Sequence, residues 1–165
     1  MSTTTTPKIP HDLKEFLFCL LDHDVRFVVA GAYVLATLGR PRYSEDLDVL
    51  VEPNTDNGTR LGEALRSFGG FGELADAAAQ HFSEPERMAT LGRPPLAIDI
   101  LSSLTGLTFA EAWTGRAEVS IDGRPVPFLG KAEFVKTKRA TGRTKDRLDL
   151  ELLREAGLLE EPEET

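Results

Sequence analysis

The hydrophobic period changes repeatedly along this chain, and that alternation most limits the folds it can adopt. Apolar residues from Leu13 to Leu21 recur every three or four positions, which predicts an amphipathic helix over 11–23. The next apolar run, Val25–Ala30, is short and rich in β-branched residues, as is typical of a buried strand. Helix and strand patterns continue to alternate towards the C-terminus. They favour an α/β (α+β) fold, with a mixed β-sheet flanked by helices.

The remaining elements follow from the same two periods and from turn residues. Further strands are predicted over 46–51 and 96–101, and Asp122-Gly123 predicts a hairpin joining 117–121 to 125–129. Further helices are predicted over 32–38, 59–68, 130–140 and 147–156, with a helical turn over 109–113. Segment 70–95 is the least regular, and we interpret it as a short helix near 74–79 with irregular strands.

Length and composition limit the classes of protein. The 165 residues suffice for one domain, predicted over 10–159, with a flexible tail over 1–9 and an acidic flexible tail over 160–165. A single cysteine, Cys19, excludes a disulfide scaffold and a Cys-rich zinc module. No run of about 18 apolar residues and no apolar signal core occurs, so we expect a cytoplasmic protein without a membrane partner. The net charge of −8 excludes a globally basic coat for nucleic acid.

The motif Asp46-Leu47-Asp48 lies inside a predicted strand, where aspartate is uncommon. Residues i and i+2 of a strand project from the same face, so these two carboxylates should repel each other. Mg²⁺, which takes carboxylate, phosphate and water ligands, would relieve that repulsion. A chain with 27 acidic residues also produces such triplets by chance, so the motif alone leaves both interpretations open.

A third carboxylate, Asp99, interrupts an apolar strand run. Burying a lone carboxylate is costly unless it is paired or bound to a metal. If the two strands are neighbours, Asp99 joins Asp46 and Asp48 on one face, as phosphoryl transfer with two metal ions requires. The alternatives are that Asp99 faces solvent or pairs with an arginine such as Arg93.

Two further segments fit an anionic ligand. The strand that ends at Gly31 runs directly into a helix, which directs backbone N–H groups towards an anion. Residues 131–147 contain seven Lys and Arg against two Asp and Glu, a net charge of +5 within an acidic chain. Such polarity indicates either an anionic ligand at this segment or a solvated helix face. We interpret Asp146 and Asp149 as capping residues or as partners of neighbouring Arg and Lys.

Together these residues resemble the nucleotidyltransferase superfamily, whose fold is related to DNA polymerase beta. The corresponding residues are Gly31-Ala32, then Asp46 and Asp48, then Asp99. Segment 39–51 is similar to a small bacterial branch that includes abortive-infection and toxin–antitoxin proteins. Segment 136–149 is similar to the Lys- and Asp-containing stretch of the same branch.

The resemblance implies a single-domain nucleotidyltransferase fold and a metal-dependent activity. A nucleoside monophosphate would pass from an NTP to a hydroxyl of RNA or tRNA, a protein or a small molecule. Asp46, Asp48 and Asp99 would be catalytic and would bind Mg²⁺ or Mn²⁺. The expected nucleotide-binding residues are Gly31, Ala32, Arg40, Arg42, Ser44, Lys136 and Arg143. A toxin role is implied as well, with an antitoxin or a second copy as partner.

The sequence departs from the family pattern at Ala32, where the superfamily usually has Ser and this branch has Gly. A serine hydroxyl there would donate to a phosphate, and alanine cannot. Ala32 therefore favours the alternative interpretation, a nucleotide-binding or protein-interaction module of the same fold that has lost catalysis.

Overall fold

Six strands form one mixed sheet in the computed structural model, which describes residues 5–160. The strands are β1 (Phe27–Ala30), β2 (Asp46–Val51), β3 (Met88–Leu91), β4 (Ala97–Leu101), β5 (Ala117–Ile121) and β6 (Arg124–Phe128). Their order in the sheet is β3-β4-β2-β1-β6-β5. The pairs β2/β4 and β1/β6 are parallel, and the other three pairs are antiparallel. The predicted mixed sheet is therefore confirmed.

The described residues also form seven helices around this sheet. They are α1 (His11–Asp22), α2 (Tyr33–Thr37), α3 (Thr55–Phe68), α4 (Gly72–His81), α5 (Phe109–Thr114), α6 (Lys131–Thr141) and α7 (Thr144–Glu155). Within residues 5–160, none of the helices combines the length and the apolar character needed to cross a membrane.

The two faces of the sheet differ in burial, because successive side chains of a strand point to opposite faces. Leu47, Val49 and Ile100 share one face and are fully buried in the hydrophobic core. Asp48 and Asp99 lie on the other face and are only partly buried. The apolar alternation thus gives the sheet its core face and leaves the carboxylates on the face that stays partly open.

Helix α3 begins at Thr55, four residues earlier than predicted. Asn54 caps it, since its side chain accepts a hydrogen bond from the Asn57 N–H at 2.8 Å. Asn57 is fully buried and bonds to both the N–H and the carbonyl of Arg26. Residues 55–58, which lie before the predicted helix, therefore form its first turn. Helices α4 and α7 also begin before their predicted starts.

Strand β3, Met88–Leu91, is regular although the sequence there is not. Only Leu91 among its residues is buried, so its apolar pattern is weak. The strand exists because it pairs antiparallel with β4, with Thr90 opposite Asp99. The hairpin at Asp122-Gly123 is as predicted, and both residues have the positive φ that a type I′ turn requires (49° and 82°).

The segment before α1 packs on the domain from Thr5 onwards. The Thr5 N–H donates to the Thr37 carbonyl at 2.8 Å, and Ile9 is buried in the core. Residues 1–4 and 161–165, where parts of the two tails were predicted, lie outside the described residues.

Candidate functional site

A row of four residues crosses the open face of the sheet. In the strand register Thr90 lies opposite Asp99, Asp99 opposite Asp48, and Asp48 opposite Ala30. Asp46 is two residues before Asp48 on the same strand and therefore on the same face. The parallel pairing of β2 with β4 thus brings Asp99 beside the Asp46/Asp48 pair, although some 50 residues of chain separate them.

The three carboxylates repel one another. Burial, followed by the nearby charges of Asp99 and Asp46, raises the pKa of Asp48 from its ordinary 3.8 to about 6. The ammonium groups of Lys145 and Lys138 oppose this rise. Both lysines belong to the basic segment, residues 131–147, so that segment approaches the carboxylates. The site therefore holds concentrated negative charge with cations close by.

Gly31 makes room for the Asp48 carboxylate. A Cβ atom at Gly31 would lie 2.2 Å from Asp48 Oδ2, and its φ of +69° is in the region that side chains disfavour. Ala32 follows as the residue before α2, where its buried methyl group provides no side-chain hydrogen bond to the helix. The glycine is therefore required by the carboxylate next to it as well as by the turn.

A cavity of about 580 Å³ lies over Asp48 and Asp99, between the sheet and α6, and Asp46 does not line it. Its lining combines charged groups, including Asp48, Asp99 and Arg143, with apolar side chains such as Leu129 and Phe134. Clefts of this size and mixed character commonly hold small ligands. Because Asp48 and Asp99 line the cavity, both are accessible to a ligand of about the size of a nucleotide.

A buried charge network borders the cavity and joins three parts of the chain. The Lys138 ammonium of α6 contacts the α7 carboxylates of Asp146 at 3.0 Å and Asp149 at 3.1 Å. Arg42, just before β2, donates to both oxygens of Asp149 at 2.7 and 3.1 Å. Arg143 donates to Asp146 at 2.8 Å. The network fixes α6, α7 and the segment that leads to Asp46 relative to one another.

Asp146 stays ionised within this network. Burial alone would raise the pKa of Asp146, but hydrogen bonds from Arg143, Thr141 and Lys138 outweigh it and hold the pKa well below its usual range. The same contact with Asp146 raises the pKa of Arg143. Asp146 and Asp149 thus pair with Lys and Arg, as their sequence context indicated.

The predicted nucleotide-binding residues have different surroundings. Arg143 lines the cavity and has a largely exposed side chain. Arg42 is engaged with Asp149, and Ser44 donates to the Asp46 carbonyl at 2.8 Å, next to the start of β2. Arg40 lies exposed in the irregular segment between α2 and β2.

Lys136 is not brought to the carboxylates. It is exposed, pairs with Glu111 of α5, and does not line the cavity. The neighbouring lysine on the same helix, Lys138, lies in the cavity wall instead. A helix places residues two apart on different sides, which separates the two lysines.

Lys138 and Thr90 are site residues to which sequence reasoning assigned no role. For Lys138 a signal existed: it lies four residues after buried Phe134, on the same side of α6. Asp146 and Asp149, three residues apart, likewise share one side of α7. For Thr90 the sequence contained no such signal, because β3 has almost no strand pattern.

The carboxylates have the chemistry of a divalent cation site, since Mg²⁺ prefers oxygen ligands and their repulsion would fall on binding it. Among residues 5–160, no group of three or more Asp, Glu, His and Cys side chains is already placed to hold a metal ion. A cation here would therefore take phosphate oxygens or water as further ligands, as Mg²⁺ commonly does.

Comparisons with known proteins show similarity of fold. No protein-family model and no curated protein sequence matches the chain. The fold is similar to that in a crystal structure of a "putative nucleotidyltransferase" from Thermotoga maritima, with a TM-score of 0.54 and 14% sequence identity. The match covers 87% of this chain and 91% of that one. The similarity extends over nearly the whole domain, and at this identity it shows the fold alone.

Proposed function

We propose that this protein is a metal-dependent nucleotidyltransferase, which moves a nucleoside monophosphate from an NTP to an acceptor hydroxyl. The observation that carries the proposal is the register of β2 and β4, which sets Asp99 opposite Asp48 with Asp46 on the same face. Asp48 and Asp99 border a cavity of suitable size, and Lys138 of α6 and Lys145 of α7 lie near Asp48. The similarity of fold is consistent with this activity.

Asp46, Asp48 and Asp99 are the residues that would hold Mg²⁺ or Mn²⁺. A bound divalent cation supplies neutralisation of the charge that develops on the transferred phosphoryl group. The carboxylates would position that cation, because they lie on strands of a packed sheet and the Asp48 carboxylate fits against Gly31.

The reaction we propose balances as a displacement at phosphorus. The acceptor oxygen forms a bond to the α-phosphorus, and the bond from that phosphorus to the bridging oxygen breaks, so that pyrophosphate leaves. Asp99 accepts the proton of the hydroxyl. Arg143 and Lys145, both exposed beside the site, bind the departing phosphates.

The biological setting belongs to the proposal as well. Acceptor classes are RNA or tRNA, a protein, or a small molecule. The resemblance of segments 39–51 and 136–149 to a toxin–antitoxin branch supports a cytoplasmic toxin, with an antitoxin or a second copy as partner. Growth arrest on expression of the wild-type chain, absent with Asp48→Asn, would support the toxin role; normal growth with active wild-type enzyme would contradict it.

A second candidate is a nucleotide-binding module without catalysis. The observation that favours it is Ala32, whose buried methyl group stands next to Gly31 without a hydroxyl to offer a phosphate. In that case the cavity binds an NTP and releases it unchanged.

Label transfer from each of the four α-labelled NTPs separates the two candidates. Protein, Mg²⁺ or Mn²⁺, and total RNA or cell extract are mixed, and labelled products are resolved by size. We expect metal-dependent transfer by the wild type, none above background by Asp46→Asn/Asp48→Asn, and wild-type transfer by Asp76→Asn on distant α4. NTP binding without transfer would establish the second candidate, and absence of both would contradict the site itself.

A further inference from the structure

The edge strand β3 contributes a side chain to the candidate site. Thr90 lies opposite Asp99 in the antiparallel register of β3 and β4. Asp99 in turn lies opposite Asp48 on β2. Asp99 therefore stands between a carboxylate on one neighbouring strand and a hydroxyl on the other.

The Thr90 hydroxyl contacts Asp99 directly. Its Oγ1 donates a hydrogen bond to Asp99 Oδ1 at 2.7 Å. Within the described part of the chain, it is the only donor to that carboxylate. The bond uses one oxygen of Asp99 and leaves the other available at the cavity that Asp99 lines.

The position of Thr90 matters because Asp99 and Asp48 repel each other. An unrestrained Asp99 carboxylate would turn among several rotamers to increase its distance from Asp48. Threonine is β-branched and its side-chain rotation is restricted, which limits the positions that its hydroxyl can take. A hydrogen bond to a charged oxygen is also stronger than one between neutral groups.

We propose that Thr90 is a positioning residue, which holds the Asp99 carboxylate in the orientation needed to bind the cation and accept the acceptor's proton. Thr90 itself does not touch the reacting atoms. This role rests on the proposed function. It places part of the catalytic geometry on a strand that the sequence pattern barely indicates.

Two substitutions separate the hydroxyl from the shape of the side chain. Thr90→Val keeps the β-branch and the strand preference but removes the donor. Thr90→Ser keeps the donor. Both variants are compared with the wild-type chain for urea unfolding, for Mn²⁺ binding by electron paramagnetic resonance, and for kcat and KM in label transfer.

Loss of a hydrogen bond to a metal ligand typically costs 10- to 100-fold in metal affinity or activity. For Thr90→Val we therefore expect Mn²⁺ binding about tenfold weaker and kcat about 10- to 100-fold lower, with KM for the NTP little changed. For Thr90→Ser we expect values within about threefold of the wild type. A merely structural role would lower the unfolding midpoint and leave the Mn²⁺ affinity of the folded protein unchanged.

The outcomes for Thr90 and for the proposed function are distinguishable. Wild-type Mn²⁺ affinity and kcat in Thr90→Val would overturn the positioning role, as would equal damage in Thr90→Ser. If the wild type binds Mn²⁺ but transfers no label, the affinity ratio of the two variants decides the role of Thr90. A wild type that neither binds Mn²⁺ nor transfers label would overturn the proposed function, and the positioning role with it.

Discussion

Asp48 is confined both by its close neighbours and by the charges around it. Its carboxylate lies against Gly31, where any side chain would collide with it, and it faces two other carboxylates. Neither condition stabilises the fold. Strain and unfavourable charge of this kind are retained at functional sites, where a ligand relieves them.

Gly31→Ala is expected to damage the site more than the fold. The positive φ alone should cost about 1–2 kcal/mol, and the new Cβ would displace the Asp48 carboxylate. Gly157→Ala is the matched control, because φ is +72° there and nothing lies within 4 Å of the added atom. Urea unfolding should show a lower free energy of unfolding in both variants, and label transfer should fall only in Gly31→Ala. Equal label transfer by the two variants would show that the contact between Gly31 and Asp48 does not matter for activity.

The pKa of Asp48 predicts how stability depends on pH. The unfolded chain titrates at the ordinary 3.8 and the folded chain at about 6, so the native state binds a proton more tightly. The native state therefore loses stability as pH rises from about 4 to 6, on the order of 2 kcal/mol. Asp48→Asn removes this loss.

We therefore expect Asp48→Asn to be more stable than the wild type by about 3 kcal/mol near neutral pH, with the difference shrinking as pH falls from about 6 to 4 and vanishing near pH 3. Urea unfolding across this range measures it. Glu63→Gln, an exposed change on α3, is the control for removing a charge. A stability difference that does not vary with pH would show that Asp48 is not the titrating group.

At the scale of elements, the α6–α7 pair is held by charge rather than by apolar packing alone. Lys138 bridges Asp146 and Asp149, and Arg42 extends the network to the segment before β2. Removing one member of a buried ion pair leaves the others without compensation. Because the network borders the cavity, its loss should disturb the site as well as the helix pair.

Lys138→Met is expected to cost about 3–5 kcal/mol, because it leaves two buried carboxylates with one cation fewer. Lys136→Met is the matched control: it is the same change two residues away, and it breaks only the exposed pair with Glu111. Urea unfolding should separate the two variants clearly. Similar midpoints would mean that the buried network contributes little to the stability of the fold.

At the scale of the whole molecule, the sheet order decides which charges meet. β2 lies between β1 and β4, so the turn after β1 and the middle of β4 both border the Asp46/Asp48 strand. The basic segment covers the same face through α6. An acidic chain thereby brings lysines of α6 and α7 to the face that carries its partly buried strand carboxylates. A ligand that carries both phosphate and metal would complement both charges.

Binding of such a ligand should stabilise the entire domain, since the site forms only in the folded chain. At a concentration of 100 times the dissociation constant, the expected gain is about 2.7 kcal/mol. Thermal unfolding should therefore shift upward with Mn²⁺ and NTP, and EDTA should reverse the shift. Asp46→Asn/Asp48→Asn should show no shift and Asp76→Asn the wild-type shift. An unchanged melting temperature for the wild type would contradict the metal site.

Much of the fold was predictable from local pattern. The periods of 2 and 3.6 residues indicated five of the six strands and most of the helices, because each depends on neighbours along the chain. The start of α3 was not predictable. It depends on the Asn54 cap and on the burial of Asn57 against Arg26, a residue about 30 positions away. Strand β3 likewise required its pairing partner.

The candidate site divides in the same way. Asp46-Leu47-Asp48, Asp99 and Gly31 were identifiable because aspartate in a strand and glycine at a strand end conflict with local propensity. That Asp99 lies opposite Asp48, that Lys138 rather than Lys136 reaches the cavity, and that Thr90 holds Asp99 were decided by tertiary structure alone. The local sequence pattern shows that a residue is unfavourable in its own helix or strand. Strand order and helix packing determine which residue from elsewhere in the chain compensates for it.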